Sequence, residues 1–117
     1  MARISTHVLD TSRGQPARGL AVDLHFCGKL LKSAVTNAVT NMDGRTDEPL
    51  LSGDRLEPGV YELTFHAGDY FRRVGVELSD PPFLNHVVIR FGVADPAGNY
   101  HVPLLLSPYG YSTYRGS

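Results

Sequence analysis

Five histidines, an arginine that directly follows an Asp-Gly pair and a tyrosine-rich tail are the residues of this chain best equipped for chemistry. An imidazole titrates near pH ~6.5, so His7, His25, His66, His86 and His101 can each take or give a proton at neutral pH. Their spacing offers no dedicated zinc site: no H-x-H or H-x-x-x-H pair occurs, and Cys27 is the single thiol. Ser107 and Ser112 lie in no G-x-S-x-G elbow, so a serine triad is not indicated. His25 sits beside Asp23 opposite an apolar face, His66 closes a strand and His86 points outward, so all three read as solvated surface residues. His7 and His101 lie inside strand-like runs near opposite ends of the chain. Residue pattern alone does not bring those two together.

The segment that must position His101 is the last nineteen residues, NYHVPLLLSPYGYSTYRGS. Leu, Val and Tyr suit a pleated, half-buried surface, and Pro108, which has no N–H for a sheet ladder, marks the turn between two strands. Side chains alternate between the faces of a strand. His101, Pro103 and Leu105 therefore share one face, with Val102, Leu104 and Leu106 on the other; Asn99 joins the face of His101, and Ser112 and Tyr114 share a face of the second strand. The tail ends on aromatic, cationic and hydroxyl side chains, the composition of a docked segment and not of a frayed one.

The same alternation runs through the rest of the chain. Ile4 to Thr11 predicts a strand that puts His7 on one face with Ser5 and Leu9, ended by turn residues at 12–16. Leu20, Val22, Leu24 and Phe26 line the apolar face of the next strand. A weaker strand is expected over 30–39, then the Asp43-Gly44 turn, Arg45, and a short strand from Arg45 toward Leu51. Val60 to His66 alternates again, with Tyr61, Leu63 and Phe65 together, and Val87, Ile89, Phe91 and Val93 form another apolar face. Asp69 to Val76 predicts one short helix, with Asp69 as its N-cap. Eight short strands at turn-limited spacing with one helix predict an all-β sandwich or barrel.

Composition bounds the function. A chain of 117 residues suits one domain, and 42% hydrophobic with 20% charged residues is ordinary globular material. A formal net charge of −1 with no Lys/Arg cluster leaves no footprint for nucleic acid. Met1-Ala2-Arg3 opens no apolar leader, and no window approaches the ~18 apolar residues of a membrane span, so a cytoplasmic protein is expected. Cys27 has no internal disulfide partner and reads as a small, partly buried strand residue.

Three blocks then carry a resemblance. Ser5-Thr6-His7-Val8-Leu9-Asp10 with Gly14-Gln15-Pro16-Ala17, Asn41-Met42-Asp43-Gly44-Arg45-Thr46, and the ending LLLSPYGYSTYRGS preceded by His101 resemble, in that order, segments of the transthyretin-related proteins. The YRGS tail is similar to that of their enzymatic branch, the 5-hydroxyisourate hydrolases. The resemblance spans essentially 1–117 and implies a single transthyretin-like domain: a Greek-key sandwich of two four-stranded sheets with a short helix after the fifth strand. It implies His7, Arg45 and His101 as catalytic residues, with His7, Arg45, Ser112 and Tyr114 contacting substrate, and Arg115, Gly116 and Ser117 fixing the tail. It also implies a homotetramer, a dimer of dimers, whose sites open where dimers meet. Many members carry a second histidine where this chain has Asn99.

The activity implied is metal-independent and cofactor-free hydrolysis of 5-hydroxyisourate to 2-oxo-4-hydroxy-4-carboxy-5-ureidoimidazoline, a step of urate degradation. Two imidazoles and a guanidinium suit that chemistry: one base for water, one group to position water or protonate the leaving nitrogen, one fork of donors for the developing oxyanion. The pattern leaves open which histidine is the base. The alternative is a non-catalytic carrier of a small aromatic ligand in the tetramer channel, as in the hormone-binding branch of the same fold.

Overall fold

Alternation of buried and half-exposed residues builds the first strand, β1 (Arg3–Asp10): Ile4, Thr6, Val8 and Asp10 point inward, Ser5, His7 and Leu9 outward. The computed structural model describes residues 2–117. β1 is followed by β2 (Gln15–Pro16), β3 (Ala21–Cys27), β4 (Lys32–Val39), β5 (Leu51–Ser52), β6 (Gly59–Phe65), α1 (Ala67–Arg73), β7 (Val87–Val93), β8 (Asn99–Ser107) and β9 (Gly110–Thr113). Two sheets result. One has the order β2-β1-β8-β9, with β5 also pairing β1; the other runs β4-β3-β6-β7. Mostly strand with one short helix, this is the expected all-β sandwich, with the two-residue β2 bringing the first sheet to five strands.

The core lies between the sheets. Ile4, Val8, Leu104 and Leu106 from the first sheet and Val22, Leu24, Leu63 and Phe65 from the second are fully buried, each contributing roughly 1.5–3 kcal/mol by leaving water. Polar groups that enter the core are satisfied. Thr6 Oγ1 donates to Val102 O at 2.7 Å, and Asp10 accepts from Tyr70 Oη at 2.8 Å and from Ser12 Oγ at 2.6 Å.

Two expected elements differ. The helix starts at Ala67, not Asp69, and His66 occupies the N-cap position without its side chain bonding a helix N–H. Packing decides this: Ala67 and Gly68 are buried with Tyr70 and Phe71, and a Cβ on Gly68 would lie 2.9 Å from Asn85 Oδ1, so the first turn docks on the 82–85 segment. Asp69, in the first turn, instead faces Arg72 at 3.5 Å. The strand expected from Arg45 toward Leu51 shrinks to Leu51–Ser52, with Arg45 making only an isolated bridge to His7. Pro49 has no N–H to give, and Thr46 Oγ1 turns onto Glu48 O, which closes a local loop in place of a ladder.

One pairing decides where the chemistry goes. β1 and β8 run parallel at the centre of the first sheet, with Ser5 opposite His101 and His7 opposite Pro103. Parity then places His7 and His101 on the same outer face as diagonal neighbours.

Candidate active site

The outer face of β1 and β8 forms the floor of an open cleft of about 540 Å³, lined among others by His7, Arg45, His101, Tyr114, Gly116 and Ser117. Each arrives by a separate local device. Arg45 is delivered by the turn at 41–45, which Asn41 organises: its Oδ1 accepts from the N–H of Asp43 at 2.9 Å and of Arg45 at 3.2 Å. Gly44 lies at φ +76°, and its carbonyl accepts from Val8 N–H at 2.8 Å, which ties the turn to β1 one residue beyond His7. A Cβ at Gly44 would collide with Val8 O, so both the conformation and the close approach require glycine there.

The tail arrives by continuing the β9 register. Leu104 pairs with Thr113 in the ladder and His101 pairs with Gly116 in an isolated bridge, so 113–116 keep one antiparallel alignment along β8. Gly116 N–H donates to His101 O at 2.8 Å. Tyr114 and Gly116 therefore fall on the cleft face, and Arg115 turns to the opposite one, with its guanidinium 4.4 Å from the Tyr100 ring centroid and Nη2 donating to Asn99 O at 3.1 Å. Arg115 is a clamp on the tail. Ser112 shares the parity of Tyr114 but stands exposed opposite Leu105, outside the lining of this cleft.

His101 is the most constrained ionisable group here. Its Nδ1 lies 2.8 Å from Ser5 Oγ, and its ring edge abuts Gly116, where a Cβ would come within 2.5 Å of Cδ2. Burial holds its pKa below the ordinary value of 6.5, and the positive charges of Arg45, His7 and Arg3 push in the same direction. The imidazole is thus neutral at neutral pH, the form a general base needs. Arg45 supplies the cationic donors, and Asp47 and Glu48 of the same loop also line the cleft, which thus carries both signs of charge.

Residue reasoning did not single out Arg3, Ser5, Asp47 or Glu48. The parity shared by Ser5 and His7 was visible, yet only the parallel β1–β8 pairing turns it into a contact with His101. On the other sheet the expectation for two histidines changes. His66 Nε2 is bonded to Asp23 Oδ2 at 2.8 Å, and His25 is half-buried with its Nδ1 lacking a hydrogen-bond partner, so neither is a freely solvated side chain. Among the described residues no three His, Cys, Asp or Glu side chains converge as a metal-ligand set.

The sequence profile of the HIUase/Transthyretin family matches residues 4–116. The chain belongs to that family. Within it, the chain is 57% identical over 115 residues to a Rhizobium meliloti protein called 5-hydroxyisourate hydrolase 2, covering 98% of this chain and 96% of that one. The structure of Klebsiella pneumoniae 5-hydroxyisourate hydrolase is 38% identical with a TM-score of 0.82, over 100% of both chains. A solved (S)-allantoin synthase is 43% identical with a TM-score of 0.93, covering 99% of this chain but 44% of that one, so this HIUase/Transthyretin chain spans less than half of that larger protein.

Proposed function

We propose that this chain is a hydrolase that opens the ring of 5-hydroxyisourate, giving 2-oxo-4-hydroxy-4-carboxy-5-ureidoimidazoline in urate degradation, with residues 1–117 acting as one catalytic domain. The observation that carries the reading is the convergence of His7, Arg45 and His101, from the start, middle and end of the chain, on one cleft, in a protein this similar to named 5-hydroxyisourate hydrolases.

In this mechanism His101 takes a proton from water as the water oxygen attacks a ring carbonyl, a contribution of about 10²–10⁴-fold. The carbonyl oxygen becomes an oxyanion, which the Arg45 fork stabilises. The carbon–nitrogen bond breaks, the proton passes to the leaving ring nitrogen, and the new carboxyl group ionises. His7 orients the water or delivers that proton, and Tyr114 closes the cleft over the substrate. Arg115, Gly116 and Ser117 hold the tail in place. Each step uses groups of this chain.

The assembly we propose is a homotetramer, a dimer of dimers, acting in the cytoplasm. What supports assembly is that β7 and β9 are both sheet edges and that Tyr109, Tyr111 and Tyr114 stand exposed along the β9 side. Ser112, exposed on that face of β9 but outside the cleft of its own chain, would contact substrate where a second copy in the tetramer extends the site. No described helix is long and apolar enough to cross a membrane. A carrier of a small aromatic ligand would need only an apolar channel, and a cleft carrying His7, Arg45 and a hydroxyl-bound His101 is poorly suited to that role.

The test is to generate 5-hydroxyisourate in situ by oxidising urate and follow its ultraviolet decay with and without the protein. Decay accelerated by the intact chain, and not by a variant truncated before Tyr114, is expected. Decay at the spontaneous rate with folded protein would overturn the proposal.

A further inference from the structure

We propose that Ser5 is a positioning residue for His101: its hydroxyl accepts from Nδ1–H and so selects the ring orientation and tautomer that present the Nε2 lone pair to the cleft. This deepens the hydrolase reading and rests on it.

Three observations lead there. First, Ser5 and His101 face each other across the parallel β1–β8 ladder, and Oγ to Nδ1 is 2.8 Å, so the contact is set by backbone register and not by a flexible loop. Second, the opposite edge of the ring packs on Gly116, where even one methyl would come within 2.5 Å of Cδ2. The imidazole is thus held on both edges. Rotating it by half a turn would exchange Nδ1 with Cδ2, take the hydrogen bond from Ser5 and press a nitrogen against Gly116. Third, Nε2 has no hydrogen-bond partner within the described chain, which leaves it for water or substrate.

A serine hydroxyl can donate or accept, and the catalytic cycle chooses between the two. If Ser5 donated to Nδ1, the bond would be lost each time the ring took a second proton. With Nδ1–H as donor, the same bond serves the neutral ring and the imidazolium, so His101 can cycle without its neighbours moving. The partner's neutrality matters too. A carboxylate there would favour the imidazolium, whereas a hydroxyl leaves the surrounding charges to act. Those lining the same cleft are Arg3 and His7 from β1, Arg45, Asp47 and Glu48 from the loop after β4, and Tyr114 and the terminal Ser117 from the tail.

The experiment compares Ser5→Ala, Ser5→Thr and Ser5→Asp with the full-length protein, using 5-hydroxyisourate made in situ. Ser5→Ala should lower kcat by about tenfold, the factor carried by one net hydrogen bond, with KM little changed. Ser5→Thr should recover most of the loss. Ser5→Asp should move the acid limb of the kcat profile to higher pH. A Ser5→Ala variant with unchanged kcat, or an Asp variant with an unmoved acid limb, overturns the proposal. Protein labelled with ¹⁵N-histidine gives a readout independent of turnover. At neutral pH His101 should carry its proton on Nδ1, and a proton on Nε2 overturns the assignment even where Ser5→Ala does not fold. Should the intact protein prove inactive, the hydrolase reading fails alone, and the tautomer spectrum still decides what Ser5 does.

Discussion

Histidines occur beside both sheets of this sandwich, and the two groups are held very differently. At the end of the β4-β3-β6-β7 sheet, just past β6, His66 commits Nε2 to the Asp23 carboxylate at 2.8 Å and lies with its ring centroid 4.6 Å from that of His86, just before β7. Nearby, Glu62 gathers Lys32 at 3.2 Å and Arg90 at 2.9 Å, and those two cations pull its carboxyl below the usual range. Charges there are paired off. On the β1–β8 face, His101 has only a neutral hydroxyl as side-chain partner, and the charges that reach it are cations that disfavour its protonated form. Imidazole by itself is not a signal of catalysis. A histidine whose working nitrogen is left free, and whose surroundings keep it neutral, is one.

The sharpest way to break that comparison is to make the same substitution on both faces. His101→Asn should lower kcat by about 10²–10⁴-fold with a small change in KM, because it removes the base and not the binding surface. His66→Asn should leave kcat unchanged and act only on thermal stability. Steady-state kinetics of the two variants side by side checks this. Equal losses from both would mean that the contrast in partners says nothing about function.

The arginines give a second pair. Arg45→Ala should cost about 10²-fold in kcat, as expected for loss of a donor aimed at a developing oxyanion. Arg90→Ala, which leaves Glu62 on the other sheet with Lys32 alone, should leave kcat as it was. Guanidinium added to the Arg45→Ala reaction sharpens the result: partial recovery of kcat ties the loss to the missing cation and not to a disturbed turn at 41–45.

Glycines allow a finer cut. Gly116→Ala brings a Cβ within 2.5 Å of His101 Cδ2 and 3.2 Å of Pro103 Cγ, so the ring or the tail has to move. Kinetics should show kcat falling by about tenfold or more, since small displacements of a catalytic group are costly. Gly92→Ala on β7, where a Cβ meets nothing within 4 Å, should change neither kcat nor folding. A Gly116→Ala enzyme with full activity would show that tail contact does not orient His101.

These contrasts also mark what could be read from residues alone. Period-two alternation is local, and it sorted Val22 from Asp23, Ile89 from Arg90 and His101 from Val102 onto their observed faces. It also put Ser112 and Tyr114 on one face of their own strand, and the observed β8–β9 register, kept as far as Gly116, makes that the face of His101. Partnership across the chain is another matter. The β1–β8 ladder joins residues 96 apart in sequence, and nothing in either strand's pattern announces a parallel neighbour, so the role of Ser5 stayed hidden. Residues 46–49 look extended but lack a ladder because Pro49 has no N–H to give and the Thr46 hydroxyl closes onto Glu48 O. The start of α1 is set by Gly68 docking against Asn85, a contact that outranks the capping preference of Asp69. The resemblance brought His7, Arg45 and His101 together; the geometry adds how each is held.

The smallest effect expected concerns pH, and it belongs to the face of His101. His101 has a folded-state pKa below 6.5 because burial and the charges of Arg45, His7 and Arg3 oppose its protonation. Its unfolded value is the ordinary one, so between the two values the unfolded chain binds more protons at this site. The stability it contributes is therefore complete above the unfolded pKa and is lost as pH falls through the folded one. Activity should follow the same group, rising with pH along an acid limb whose midpoint lies below 6.5 and flat through neutrality. In the His101→Asn variant, urea denaturation at a series of pH values should show a shallower loss of stability on this limb. If the variant kept the parent slope, the cations around His101 would not be what sets it apart.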